Sequence, residues 1–116
     1  MRRVTPTPRP ADPLVSDAVA FGVAVRAART ASGLTLADAA AALGIAKQTL
    51  SDLETARASV GLATALKAAR ELGVTIFAVP SSEREPARRA LLGTGASAES
   101  DNAGVSGAAS TQPGRP

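Results

Sequence analysis

The sequence predicts an all-α domain of four helices followed by one strand, and three observations lead there. Apolar residues make up 45% of the 116-residue chain but aromatics only 2%, so a core must be built largely from small side chains, which suits closely packed helices. Between residues 14 and 80 apolar positions recur at helical spacing in four runs, three of them closed by a glycine. Last, Val74-Thr75-Ile76-Phe77-Ala78-Val79 abandons that period for a β-branched and aromatic run that Pro80 terminates.

The first helix has Ser16 or Asp17 as its cap, places Phe21, Val25 and Ala28 on one face, and stops at Gly33. The second takes Thr35 as N-cap with Asp38 three residues on, carries Leu36, Ala39, Ala40 and Leu43 on one face, and ends at Gly44. The third follows at once, with Leu50 and Leu53 inward beside Ile45. The fourth starts from Gly61, has Leu62, Leu66, Ala69 and Leu72 as its apolar stripe, and stops at Gly73. No second strand is legible to pair with residues 74–79. A lone strand leaves a row of backbone donors and acceptors unmet, and the same strand from a second copy, antiparallel across a two-fold axis, meets them. That predicts a homodimer; the alternative is that these residues extend the fourth helix or form a short fifth one.

The ends read differently from the middle. Prolines at 6, 8, 10 and 13 forbid helix in residues 1–13, a disordered Pro/Arg arm. Residues 81–116 are rich in Ser, Gly and Ala with few large apolar side chains beyond Leu91 and Leu92, which predicts a disordered tail with room for a short helix around Ala87 to Leu92. The folded domain is thus expected over 14–80. Net charge is +3, but residues 14–80 carry six basic and five acidic groups, so the basic excess lies mostly in the arm. With neither cysteine nor histidine, the chain lacks disulfides, thiolate nucleophiles, the usual zinc ligands and imidazole bases; no catalytic role, cofactor or metal is expected. Arg2 and Arg3 are not followed by an apolar leader segment, and no run of eighteen apolar residues occurs, which predicts a soluble cytoplasmic protein.

Two short helices joined at Leu43-Gly44-Ile45 have the form of a helix-turn-helix, in which one helix crosses a nucleic-acid backbone and the next enters the major groove. The same corner also serves small helical domains as plain packing. With Leu50 and Leu53 inward, Lys47, Gln48, Ser51 and Asp52 face outward as candidate base contacts. Gln48 can pair with adenine N6 and N7, Lys47 can donate to guanine or phosphate, Asp52 can accept from cytosine N4, and Ala46 or Thr49 can touch a thymine methyl. Arg26 and Arg57 are candidate phosphate contacts. Arg2, Arg3 and Arg9 either follow phosphates or enter a minor groove, or serve only to solubilise the arm.

The positions Phe21-Gly22, Val25-Arg26, Arg29, Gly33-Leu34-Thr35, Ala39-Ala40, Leu43-Gly44-Ile45, Thr49-Leu50-Ser51, Leu53-Glu54 and Leu72-Gly73-Val74 together resemble the Xre/Cro-CI helix-turn-helix family. Within it, Gly44-Ile45-Ala46-Lys47-Gln48 and the strand after the fourth helix are most similar to HipB-like antitoxins. The resemblance implies a bacterial, nucleoid-associated repressor that reads double-stranded DNA at an inverted repeat as a homodimer. It further implies the antitoxin of a HipBA-like type II pair, autoregulating its operon and binding a HipA-type serine/threonine kinase toxin. It pairs Arg29 with Glu54 across the first and third helices. Three positions depart from the pattern: Leu36 replaces a frequent phosphate-contacting glutamine, Ala46 a hydroxyl cap and Ala56 a turn glycine. A stand-alone Xre-type regulator and an interaction module that has lost DNA are the alternatives; Leu36, Asp52 and the near-neutral middle favour the latter.

Overall fold

Side-chain and glycine caps set most of the helix boundaries in the computed structural model, which describes residues 3–101. Helix α1 (Ala18–Ala31) begins at Asp17, whose carboxylate accepts from the Ala20 N–H at 2.8 Å. Helix α2 (Leu36–Leu43) begins at Thr35, whose hydroxyl accepts from the Asp38 N–H at 3.1 Å, and ends at Gly44 with φ 74°, a left-handed conformation that a Cβ disfavours. Helix α3 (Lys47–Thr55) starts at Ala46 without a side-chain cap and ends at Ala56, which takes φ 57°. Helix α4 (Leu62–Glu71) starts from Gly61. A 3-10 turn (Ser81–Glu83) leads into helix α5 (Arg84–Asp101).

The chain forms two units, one through Phe77 and one from Ala78. In the first, Val25, Ala39, Ala40, Leu43, Leu50, Leu53, Ala65, Ala68 and Ala69 form the core, with Phe21, Leu34, Leu36, Ile45, Val60, Leu72 and Val74 packed around it. Four of the nine are larger than alanine, so stability depends on backbones approaching closely rather than on large buried side chains. The tightest approach is at Gly22 in α1, where a Cβ would lie 2.5 Å from the carbonyl oxygens of both Leu53 and Glu54. Glycine is required there for want of space, not for its dihedral freedom.

Three regions differ from the sequence reading. In α4 the buried face is Ala65, Ala68 and Ala69 with Leu72 partly covered, whereas Leu62 is 72% and Leu66 39% exposed. Positions 65, 68, 69 and 72 make as regular a helical stripe as the leucines do, and the small side chains of Ala65, Ala68 and Ala69 match the alanines of α2. The strand expected over Val74, Thr75, Ile76, Phe77, Ala78 and Val79 is absent, and no strand occurs among the described residues. The Val74 N–H closes on the Ala69 carbonyl at 2.8 Å, and the chain then runs to Pro80 as neither helix nor strand. A strand exists only against a partner, and a single chain offers none. Finally, α5 contains the short helix for which Ala87 to Leu92 left room and runs beyond it at both ends. Its opening residues, Arg84 to Leu92, are good helix formers; Pro86 lies in the first turn, where its missing N–H costs nothing, and Glu85 pairs with Arg88. Residues 102–116 lie outside the described residues. Among the latter no helix is long and apolar enough to cross a membrane.

Replacing Gly22 by alanine forces α1 and α3 apart and is expected to lower stability by roughly 1–3 kcal/mol in urea unfolding followed by circular dichroism. Gly93→Ala, where the added Cβ meets open space, serves as the control and is expected to cause no loss.

Candidate nucleic-acid interface

The orientation of α3 is set from its buried side. Leu50 is fully buried, and Leu53 and Glu54 nearly so. Glu54 takes a forked ion pair from α1: Arg29 Nε donates to Oε2 at 2.6 Å and Nη2 to Oε1 at 2.9 Å. The third arm of the guanidinium, Nη1, donates to the Leu34 carbonyl at 2.8 Å, just ahead of α2. One arginine thereby ties α1 to α3 and to the start of α2, and the planar fork fixes the direction as well as the distance. Arg29 belongs to the scaffold and presents nothing outward.

With that side committed, Lys47 and Gln48 are exposed and Thr49, Ser51 and Asp52 half-exposed along the outer face of α3. The structure brings two of the candidates together. Gln48 Nε2 donates to Asp52 Oδ1 at 2.9 Å, and the same oxygen lies 3.8 Å from Arg57 Nε. A carboxylate only accepts, so the nitrogen end of the Gln48 amide must face Asp52, and its carbonyl end points away along the helix. One N–H of the amide stays uncommitted. Gln48 is thus an amide of fixed polarity with one donor and one acceptor on offer. Asp52, only 19% exposed in its side chain, already serves Gln48 and Arg57.

The other candidates lie apart. Arg26 is exposed on α1, and Arg57 projects from the α3–α4 loop with its side chain 66% exposed. Ala46 caps α3 with no hydroxyl, so the first-turn N–H groups of α3 have no side-chain acceptor. Leu36, standing at the head of α2, packs against the core and has no polar atom to offer. Val74, half-buried, packs on the core, while Ile76, Phe77 and Val79 expose their side chains, Phe77 to 70%.

Residues 25–78 match a family model described as helix-turn-helix. Neither the curated proteins nor the solved structures contain a match to the chain. The helix-turn-helix proper is α2, the turn at Gly44 and α3; the matched segment also takes in the second half of α1, all of α4 and most of the run after it. Two residues outside these two helices carry structural roles that were not legible in the sequence. Lys67, an apparent surface cation, donates from Nζ to the Leu43 carbonyl at 3.1 Å and so closes the C-terminal end of α2, where a positive charge also meets the helix dipole. Gly22 stands among the positions of the family pattern, but its close approach to α3 is visible only in the fold.

Arg29→Met strands the Glu54 carboxylate in the interior and is expected to cost about 3–5 kcal/mol in denaturant unfolding. The double variant Arg29→Met, Glu54→Leu, which removes both charges, is expected to recover most of that loss, since what costs is the unpaired charge.

Proposed function

We propose that this chain is a homodimeric, sequence-specific DNA-binding repressor, with α3 of each copy in the major groove. The observation that carries the reading is the outer face of α3. Lys47, the polarity-fixed Gln48 amide and Ser51 stand together on a helix whose opposite side is immobilised by the Arg29–Glu54 pair. Gln48 pairs with the N6 and N7 edge of adenine, a bidentate contact worth about 1–3 kcal/mol of discrimination. Lys47 reaches guanine or phosphate, Ser51 reaches an adjacent base edge, and Ala46 and Thr49 offer methyl groups to thymine. Asp52 acts through Gln48 as a positioning residue, in place of the cytosine contact that its type suggests. Arg26 and Arg57 contribute phosphate contacts on either side.

One copy of α3 spans few base pairs, so dimerisation is part of the function. Apolar side chains left exposed on α4 (Leu62, Leu66) and just beyond it (Ile76, Phe77) supply the interface. The run 74–79 becomes a strand by pairing with its copy across a two-fold axis. The resemblance of Gly44-Ile45-Ala46-Lys47-Gln48 to HipB-like proteins supports a reading of the chain as the antitoxin of a HipBA-like pair, repressing its own operon in the bacterial cytoplasm and binding a HipA-type kinase. A HipA-type kinase gene beside this one supports that assignment; an unrelated neighbour leaves a stand-alone regulator.

Selection of duplexes from a random library is expected to yield an inverted repeat. On the selected duplex, Lys47→Ala with Gln48→Ala should weaken binding at least tenfold, and Asp52→Asn should keep affinity while reducing the preference for adenine opposite Gln48. Equal binding by wild type and the double variant contradicts the base-reading face. In sedimentation equilibrium the wild type should be a dimer and Phe77→Glu a folded monomer; a monomeric wild type contradicts the interface.

A further inference from the structure

The proline-rich arm is not independent of the first unit. The Thr7 N–H donates to Thr30 Oγ1 at 2.8 Å, and that hydroxyl in turn donates to the Arg26 carbonyl at 2.9 Å, within the last turns of α1. Along the arm Val4, Thr7 and Pro10 are half-buried, whereas Arg3, Thr5, Pro6, Pro8 and Arg9 are exposed. A period of three is that of a polyproline II helix, whose three residues per turn put every third side chain on one edge. The surface that receives this edge is also identifiable. Ala27 is only 6% exposed yet stands outside the core cluster, and with Val23 and Thr30 it forms a stripe on α1 opposite Val25. The arm therefore lies along the outer face of α1.

Its direction follows from chain length. The arm joins α1 at Asp17 but is pinned at Thr30, so it runs antiparallel to the helix. Four more extended residues, about 12 Å at polyproline rise, carry Arg3 past the end of α1 toward the corner of residues 32–35 that leads into α2. That corner belongs to the helix which, in helix-turn-helix docking, crosses the nucleic-acid backbone. The head of α2 lacks a polar side chain at Leu36, which is turned into the core. Arg9 shares the exposed edge with Arg3 but lies six residues, about 19 Å, further back along α1.

We propose that the Thr7–Thr30 anchor makes the arm a strut that holds Arg3 against a DNA phosphate at the α1–α2 corner, the contact that Leu36 cannot make. The proposal rests on the DNA-binding reading given above. It assigns different roles to two arginines of equal charge on one edge, because the anchor delivers only Arg3 to the DNA side.

The test is fluorescence anisotropy of the full chain on a random-sequence 30-base-pair duplex across a salt series. A lost phosphate contact lowers the slope of log K against log salt by about 0.9. Arg3→Gln removes one contact from each copy of the dimer and should lower it by about 1.8, whereas Arg9→Gln should leave it unchanged. Thr7→Pro, which removes the anchoring N–H while suiting the polyproline conformation, should behave as Arg3→Gln does. An unchanged slope for Arg3→Gln, or an equal loss for Arg9→Gln, overturns the strut while the DNA-binding reading stands. A wild-type chain that binds no duplex at low salt overturns both.

Discussion

The contact between α1 and α3 is the constraint on which the rest depends. Two features make it, and each needs the other. Gly22 lets the backbones meet without a Cβ between them, and the Arg29 fork then reaches Glu54 with both hydrogen bonds in good geometry and a third to Leu34. A buried ion pair is weak evidence for stability, because desolvating both charges offsets much of their attraction. Its value here lies in specifying one arrangement. An apolar pair would hold α3 equally well at several rotations, whereas a planar guanidinium facing a carboxylate holds it at one. The outer face of α3 is thereby fixed as a consequence of what is buried on the inner one.

The alanine-rich core follows the same logic. Small side chains bury little area each, so close helix approach must supply the packing. That choice also releases the larger apolar residues of α4. Leu62 and Leu66 are not needed inside, and they remain exposed, as do Ile76 and Phe77. A single copy therefore carries apolar surface that its own fold does not use, the condition that favours self-association.

What the sequence made legible was local. Asp17, Thr35 and Gly44 mark helix ends because caps and left-handed turns are properties of a few neighbouring residues. The inward position of Leu50 and Leu53 follows from helical period alone. Features that depend on distant parts of the chain were not legible. Helix α4 offers two equally regular stripes, and only the alanines of α2 decide between them. The space that demands Gly22 is created by α3, thirty residues on. The Gln48–Asp52 bond could be foreseen as a shared face but not as a division of labour, since that needs the distance. The polyproline arm gave its conformation through its prolines, while its place on α1 depends on Thr30, a residue with no mark of its own in the sequence. As for residues 74–79, β-branched composition alone does not make a strand, because the backbone needs a neighbour to pair with and none pairs with it among the described residues.

The central claim is that the fixed outer face of α3 is the surface that meets DNA. Backbone amide shifts of the labelled protein, followed by NMR during titration with a duplex, test it most directly. The account predicts perturbations concentrated from Ala46 to Asp52 and at the start of α2, with the exposed side of α4 silent beyond changes caused by dimerisation. Perturbations confined to α4 or α5, with Lys47 and Gln48 unmoved, would contradict it.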